Sequence, residues 1–202
     1  MTEEMQEIAT KTTNLLVAGV GGQGVITATH LLSQVALTEG YDVKQNDVVG
    51  MSQRGGSVVS HLRFGRQVAS PLVSAGAADL LLSFEMLEAL RYMHWLRPGG
   101  LLIYNLLRIN PSTVAAGFAE YPGNVQERIE SSWERTLPVD GNALAQQAGN
   151  PKTANVVLLG AVSVHLTFSE EAWLSVIEEN VPPRTVEANR QAFELGRQAG
   201  KA

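Results

Sequence analysis

Asn14-Leu15-Leu16-Val17-Ala18-Gly19-Val20-Gly21-Gly22-Gln23-Gly24-Val25 decides how this 202-residue chain is read. The apolar run Asn14–Val20 is too short for a buried helix and has the continuous character of a strand covered on both faces. It ends in glycines, and beyond Gly24 the pattern changes. Val25, Ala28, Leu32 and Val35 recur at spacings of three and four, which places one apolar stripe on a helix, and Gly40 stops it. A strand, a glycine turn and an amphipathic helix in that order open an α/β domain.

Working outward, Tyr41–Val49 reads as a second strand, Gly50–Gly56 as a loop, and Ser57–Phe64 alternates like a third strand. Asp79–Phe84 is another buried strand, followed by a helix over Glu85–Trp95, a turn at Arg97-Pro98-Gly99-Gly100 and a strand over Leu101–Asn105. Between Arg108 and Pro151, prolines at 111, 122, 138 and 151 break the pattern. A helix or two and a strand near Arg135–Val139 are expected there. Asn155–His165 is mostly apolar, hence a buried helix, and Glu170–Asn180 is amphipathic. Pro182-Pro183 then precedes a last helix over Thr185–Gln198. These elements specify an α/β fold with a mostly parallel open sheet, helices on both faces and a helical C-terminal end. Residues 1–13 are expected to be a flexible tail or short helix, and residues 14–202 one domain.

Composition excludes several classes of function. Apolar residues are 45% of the chain, enough for a core, which rules out intrinsic disorder. The net charge of −5, with no run of Lys or Arg, argues against a nucleic-acid partner. No stretch approaches the roughly 20 apolar residues of a membrane span, and the acidic N-terminus lacks the order of a signal peptide. A cytoplasmic protein is expected. Cysteine is absent, so the chain by itself holds no disulfide, thiolate nucleophile or iron–sulfur cluster. Charged residues are only 17%, against about 25% in typical domains, which suits a surface covered by another subunit.

Two glycine-rich segments carry the candidate site. Gly19, Gly21 and Gly24 have the G-x-G-x-x-G register between strand and helix, where backbone N–H groups of Gly21, Gly22, Gln23 and Gly24 can face a phosphate. The alternative is a tight turn that binds nothing. Dinucleotide binding requires a helix between the second and third strands, and the segment from Val49 to Ser57 is too short for one, so the third strand folds back antiparallel or runs at an edge. Asp47 is then either a ribose-binding acid or a solvated strand end. The loop Gly50-Met51-Ser52-Gln53-Arg54-Gly55-Gly56-Ser57 combines accessible backbone donors with an arginine fork suited to phosphate or carboxylate. It follows a strand end on the side of the first turn, so both bends can line one crevice, or the loop is a mobile hairpin with a solvated arginine. Asn155 opens a buried helix as its cap, or meets a ligand beside the crevice. His61 is read as a satisfied strand residue. Asp140-Gly141-Asn142 matches part of a thiamine-diphosphate signature without the downstream asparagines. No catalytic set and no metal cluster emerges.

Taken together, these two segments, the strand Val58–Phe64, Ser70-Pro71, Ala78-Asp79 with Glu85, and Asn155 with Leu159-Gly160 resemble the gamma-type subunit of the 2-oxoacid:ferredoxin oxidoreductases, most closely its indolepyruvate type. The likeness runs from about Asn14 to Gly196. It implies a Rossmann-like domain of the pyruvate–ferredoxin oxidoreductase domain III kind, packed on a large subunit that carries thiamine diphosphate, magnesium and iron–sulfur clusters. It also implies coenzyme A as co-substrate, ferredoxin as the electron acceptor of the complex, and oxidative decarboxylation of an aryl 2-oxoacid to an acyl-CoA. On this resemblance Gly21, Gly22, Gln23, Gly24, Ser52, Gln53, Arg54, Gly55 and Asn155 are the cofactor-binding candidates. A stand-alone NAD(P)- or nucleotide-binding protein is the alternative. Where pyruvate enzymes of the group carry a basic residue in the turn, this chain has Val20, which points away from them.

Overall fold

The computed structural model describes residues 12–50 and 55–201. The strands are β1 (Thr13–Val20), β2 (Asp42–Val49), β3 (Ser57–Gly65), β4 (Ala78–Ser83), β5 (Leu96–Asn105) and β6 (Thr136–Val139). Helices are α1 (Val25–Thr38), α2 (Met86–Tyr92), α3 (Ser112–Ala115), α4 (Val125–Ser132), α5 (Gly141–Gln147), α6 (Ala154–Ser163), α7 (Glu170–Asn180) and α8 (Val186–Gly200). The six described strands form one sheet in the order β2-β3-β1-β4-β5-β6. β1, β4, β5 and β6 are mutually parallel, whereas β3 pairs antiparallel with both β1 and β2. The third strand therefore folds back, as the short connection requires, and it inserts between β2 and β1 rather than forming an edge.

β1 is buried on both faces, and its alternation assigns Leu15 and Val17 to one core and Leu16 and Ala18 to the other. The first core lies under α1, α6, α7 and α8, and the second under α2 and α4. Helices thus cover both faces. Burying each of these leucines contributes about 2 kcal/mol before the entropy cost of ordering the chain. α8 packs against α6 through glycines. A Cβ on Gly160 would lie 2.2 Å from the Phe193 carbonyl oxygen, and one on Gly196 1.9 Å from that of Val157. The helices approach this closely because neither residue has a side chain.

Three details differ from the sequence reading. Thr13 already pairs with Phe64, so the first strand takes in the last residue of the expected tail; residues 1–11 of that tail lie outside the described residues. β5 begins at Leu96, and the expected turn lies within it: pairing passes from Ala78–Leu96 to Leu80–Leu101, so Pro98, Gly99 and Gly100 bulge out of the ladder. The segment before Pro151 holds three helices rather than one or two. The strand expected near Arg135–Val139 is β6, and Pro138 sits inside it, where an edge strand tolerates a residue without an N–H. Helix α2 is capped by Glu85, whose carboxylate accepts from the Glu88 amide at 2.9 Å.

Candidate functional site

The parallel strands all end at one edge of the sheet, and Ser57 is paired with Val20, so the β2–β3 loop opens on that same edge. The glycine turn occupies its centre. Gly22 and Gly24 have φ of 101° and 83°, the left-handed region that other residues reach only with strain. Gly19 is required for a different reason, because a Cβ there would lie 2.7 Å from Val25 Cγ2 and 2.9 Å from Phe84 Cβ. The turn thereby draws α1 tight against β1 and β4. The amide of Gly21 donates to the Gly56 carbonyl at 2.8 Å, which joins the two glycine segments directly.

Gln23 holds the turn in place. Its Oε1 accepts from the Val20 amide at 2.6 Å, and its Nε2 donates to the Phe84 carbonyl at 2.9 Å. The same carbonyl accepts from Asn105 Nδ2 at 3.3 Å, and Asn105 Oδ1 accepts from the Gly141 amide at 3.0 Å. Asn105 Nδ2 also donates to Asn142 Oδ1 at 3.0 Å. A relay of carboxamides therefore ties together the ends of β1, β4, β5 and β6. Each such bond contributes about 1 kcal/mol net, but leaving one buried partner unpaired costs more.

Hollows flank the turn. One of about 330 Å³ is mainly apolar, with Ile26, Val49 and Val58 among its walls. Another, of about 400 Å³, runs over Gly22 and Gly24 to Asn105, Asn142, Lys152 and Asn155. A third of about 260 Å³ lies on the other side, between Gly55, Ser57, Glu85, Glu88 and Arg91. There the carboxylates are engaged: Glu85 also accepts from the Tyr121 hydroxyl at 2.8 Å, and Glu88 from Arg91 at 3.1 Å and Ser57 Oγ at 2.5 Å. Burial, together with that contact with Glu85, pushes the Tyr121 hydroxyl above its ordinary range.

Of the residues singled out from sequence, Gly21, Gly22, Gln23, Gly24 and Asn155 come together at the turn, and Gly55 lies across it in the loop. Ser52, Gln53 and Arg54 lie outside the described residues. Asn155 is not the cap of α6, because it already belongs to the helix and Thr153 precedes it in the capping position. Its Nδ2 instead stands 3.2 Å from where a Gly24 Cβ would be, so the side chain packs over the glycine turn. Asp47 is engaged within the sheet, accepting from Ser60 Oγ at 2.5 Å and Gln45 Nε2 at 3.0 Å. Because β3 separates β2 from β1, Asp47 stands two strands away from the turn, and the ribose-acid arrangement of a dinucleotide site is not formed. Asp140 caps α5 by accepting from the Ala143 amide at 2.9 Å.

Sequence reading missed Lys152 and Asn105, and it noticed Asn142 only as part of an incomplete thiamine-diphosphate signature. Lys152 precedes Asn155 by one helical turn, and that spacing is the signal that would have found it. His61 is buried; its Nδ1 accepts from the Val73 amide at 3.2 Å and its ring meets Trp95 edge-on. Burial lowers its pKa.

The fold and its glycine-lined carboxyl edge define an α/β domain with a ligand-sized rim. The pyruvate ferredoxin/flavodoxin oxidoreductase family model matches residues 14–199, and the chain belongs to that family. In sequence it is 45% identical over 193 residues to indolepyruvate oxidoreductase subunit IorB of Thermococcus kodakarensis, covering 93% of this chain and 96% of that one. Among solved structures it is similar to a keto/oxoacid ferredoxin oxidoreductase gamma subunit from Geobacter sulfurreducens. That match has a TM-score of 0.69 and 26% identity, over 94% of this chain and 98% of the other. The fold also matches 31% of a chain of the 2-oxoglutarate:ferredoxin oxidoreductase from Magnetococcus marinus, solved with 2-oxoglutarate, coenzyme A and succinyl-CoA bound. There the TM-score is 0.73 at 19% identity, over 95% of this chain.

Proposed function

We propose that this chain is the small subunit of an indolepyruvate-type 2-oxoacid:ferredoxin oxidoreductase. It works with a large subunit carrying thiamine diphosphate, magnesium and iron–sulfur clusters, and the complex converts an aryl 2-oxoacid and coenzyme A to an acyl-CoA while passing electrons to ferredoxin. The observation that carries this reading is the 45% identity to an indolepyruvate oxidoreductase subunit, sustained over nearly the full length of both chains.

The residues present support the division of labour. No cysteine is available for a cluster, and among the described residues no group of three His, Asp or Glu converges on a metal position. Asp140 and Asn142 are spent on a helix cap and on Asn105, so they do not fit a thiamine-diphosphate site. Coenzyme A fits better. The first helical bond of α1 runs from the Ala28 amide to the Gly24 carbonyl, which leaves the amides of Val25, Ile26 and Thr27 without partners inside the helix. These donors beside Gly22 and Gly24 suit a phosphate. Gly21 is excluded as a donor, because Gly56 takes its N–H. Gln23 positions the turn rather than the ligand. In this reading Ser52, Gln53 and Arg54 serve the ligand or meet the large subunit, Gly55 belongs to the same segment, and Asn155 meets the ligand from α6.

The cytoplasm is the proposed location; among the described residues no helix is long and apolar enough to cross a membrane. The test is co-expression with the large subunit of the complex. The purified complex is expected to contain iron and thiamine diphosphate and to reduce ferredoxin only when indolepyruvate and coenzyme A are both present. Arg54→Ala in that complex should raise the KM for coenzyme A. Turnover of oxoacids by the isolated chain, or tight binding of NAD to it, would overturn the proposal.

A further inference from the structure

We infer that Lys152, with Asn142 and Asn155, holds a phosphate of the ligand that lies over the glycine turn. The inference deepens the coenzyme A reading above and rests on it for the identity of that ligand. The hollow of about 400 Å³ beside Gly22 and Gly24 is lined by asparagine amides and one lysine, with no carboxylate in its wall. Among the described residues, Lys44, Arg91, Arg97, Arg190 and Arg197 are tied to acids. Lys152 makes no ion pair among the described residues.

Its position is fixed while its ammonium is not. Asn150 Oδ1 accepts from the Lys152 amide at 3.1 Å, and the short 3-10 turn Pro151–Thr153 leads directly into α6. The backbone is thus held at the rim and the exposed side chain is available to the hollow. Asn105 holds Asn142 in place from below, and among the described residues no acceptor meets the Nδ2 of Asn155, which lies over Gly24. A lysine and amide donors around a carboxylate-free hollow match a phosphate, which offers acceptors only and carries negative charge. The apolar hollow beyond the turn, walled by Ile26 and Val49, then suits the uncharged part of the same ligand.

The test uses the complex with the large subunit, comparing wild type with Lys152→Met and Lys152→Arg. Lys152→Met is expected to raise the KM for coenzyme A about tenfold, the loss of one charge-assisted contact. The kcat and the KM for the oxoacid should stay unchanged, and Lys152→Arg should restore most of the affinity. Repeating the titration with 3′-dephospho-coenzyme A separates the sources. An effect confined to coenzyme A assigns the ribose 3′-phosphate, whereas an equal effect on both assigns the diphosphate. A KM for coenzyme A that does not change in Lys152→Met overturns the inference and leaves the proposed function standing. If the wild-type complex showed no saturation by coenzyme A, the proposed function would fail instead. Inorganic pyrophosphate, titrated into both complexes, then decides the site: weaker binding in Lys152→Met supports it, and equal or absent binding overturns it.

Discussion

The amide of Gly21 donates to the carbonyl of Gly56 at 2.8 Å, so the turn that ends β1 is bonded directly to the residue that leads into β3. This bond exists because β3 lies against β1, with Ser57 opposite Val20. Had a helix crossed between β2 and β3, as in a dinucleotide fold, the loop would lie at another strand and the two glycine segments would be separate. The antiparallel third strand is therefore what turns two glycine motifs into one rim.

Gln23 should prove to be the residue that keeps this rim in shape. Gln23→Met removes the acceptor of the Val20 amide and the donor to the Phe84 carbonyl while preserving side-chain volume. The expected cost is about 1–3 kcal/mol, since partly buried groups lose their partners. Urea unfolding of the isolated chain measures it. A midpoint equal to wild type would show that the carboxamide relay does not hold the strand ends together.

The glycines between α6 and α8 give a second, independent test of the fold. Gly196→Ala places a Cβ 1.9 Å from the Val157 carbonyl oxygen, a backbone atom that cannot rotate away. Either the helices separate or the last helix detaches, at a cost of at least about 2 kcal/mol. Gly123→Ala is the control, because nothing lies within 4 Å of its added Cβ. Denaturant midpoints that fall equally for both variants would refute the close-packing account.

Much of this architecture was legible because it is local. The strand, turn and helix from Asn14 to Thr38 follow from periodicity and glycine placement, and the shortness of the Val49–Ser57 connection was enough to rule out a crossover. What the sequence did not show is long-range. Nothing near Ser57 says that β3 inserts beside β1, since that order depends on pairing partners far along the chain. The Pro98-Gly99-Gly100 segment carries ordinary turn residues, and only the pairing of Leu96 with Ala78 turns it into a bulge. Helices α3, α4 and α5 are short, so their patterns span too few turns to register. The polar hollow was invisible for the same reason: Phe84, Asn105, Asn142 and Lys152 meet only after four strands align.

His61 predicts a pH dependence of stability. Burial lowers its pKa in the folded chain, and its Nδ1 accepts from the Val73 amide, which only the neutral ring can do. With the folded pKa below the unfolded value near 6.5, the unfolded chain binds more protons in the window between the two. Stability should therefore be complete above about pH 7 and fall as the pH drops below the unfolded pKa of about 6.5. His165, also lowered by burial and by the charge of Arg135, adds in the same direction. Histidine ring signals followed by NMR should titrate below 6.5 for both, and melting temperatures should decline across the same interval. A His61 midpoint at or above the free value would contradict the buried, accepting geometry.

Asp79 offers the sharpest separation between residues that build the domain and residues that hold a ligand, because it belongs to the recognisable pattern yet sits at the opposite edge of the sheet from the glycine turn. Its carboxylate accepts from the Asn14 amide at 2.9 Å and from Arg97 Nε at 2.6 Å. Arg63 extends the same latch, donating to Asn14 Oδ1 at 2.7 Å and to the Ser70 carbonyl at 2.8 Å. Ser70 and Asp79 therefore fasten the start of β1 and the segment before β4, far from any hollow at the carboxyl edge. Asp79→Asn keeps the size and weakens the charge-assisted bonds. It should cost about 1–2 kcal/mol, discounted because the Arg97 side chain is 41% exposed. The KM for coenzyme A of the assembled complex should not change. Loss of affinity without loss of stability would instead move Asp79 from the scaffold to the site.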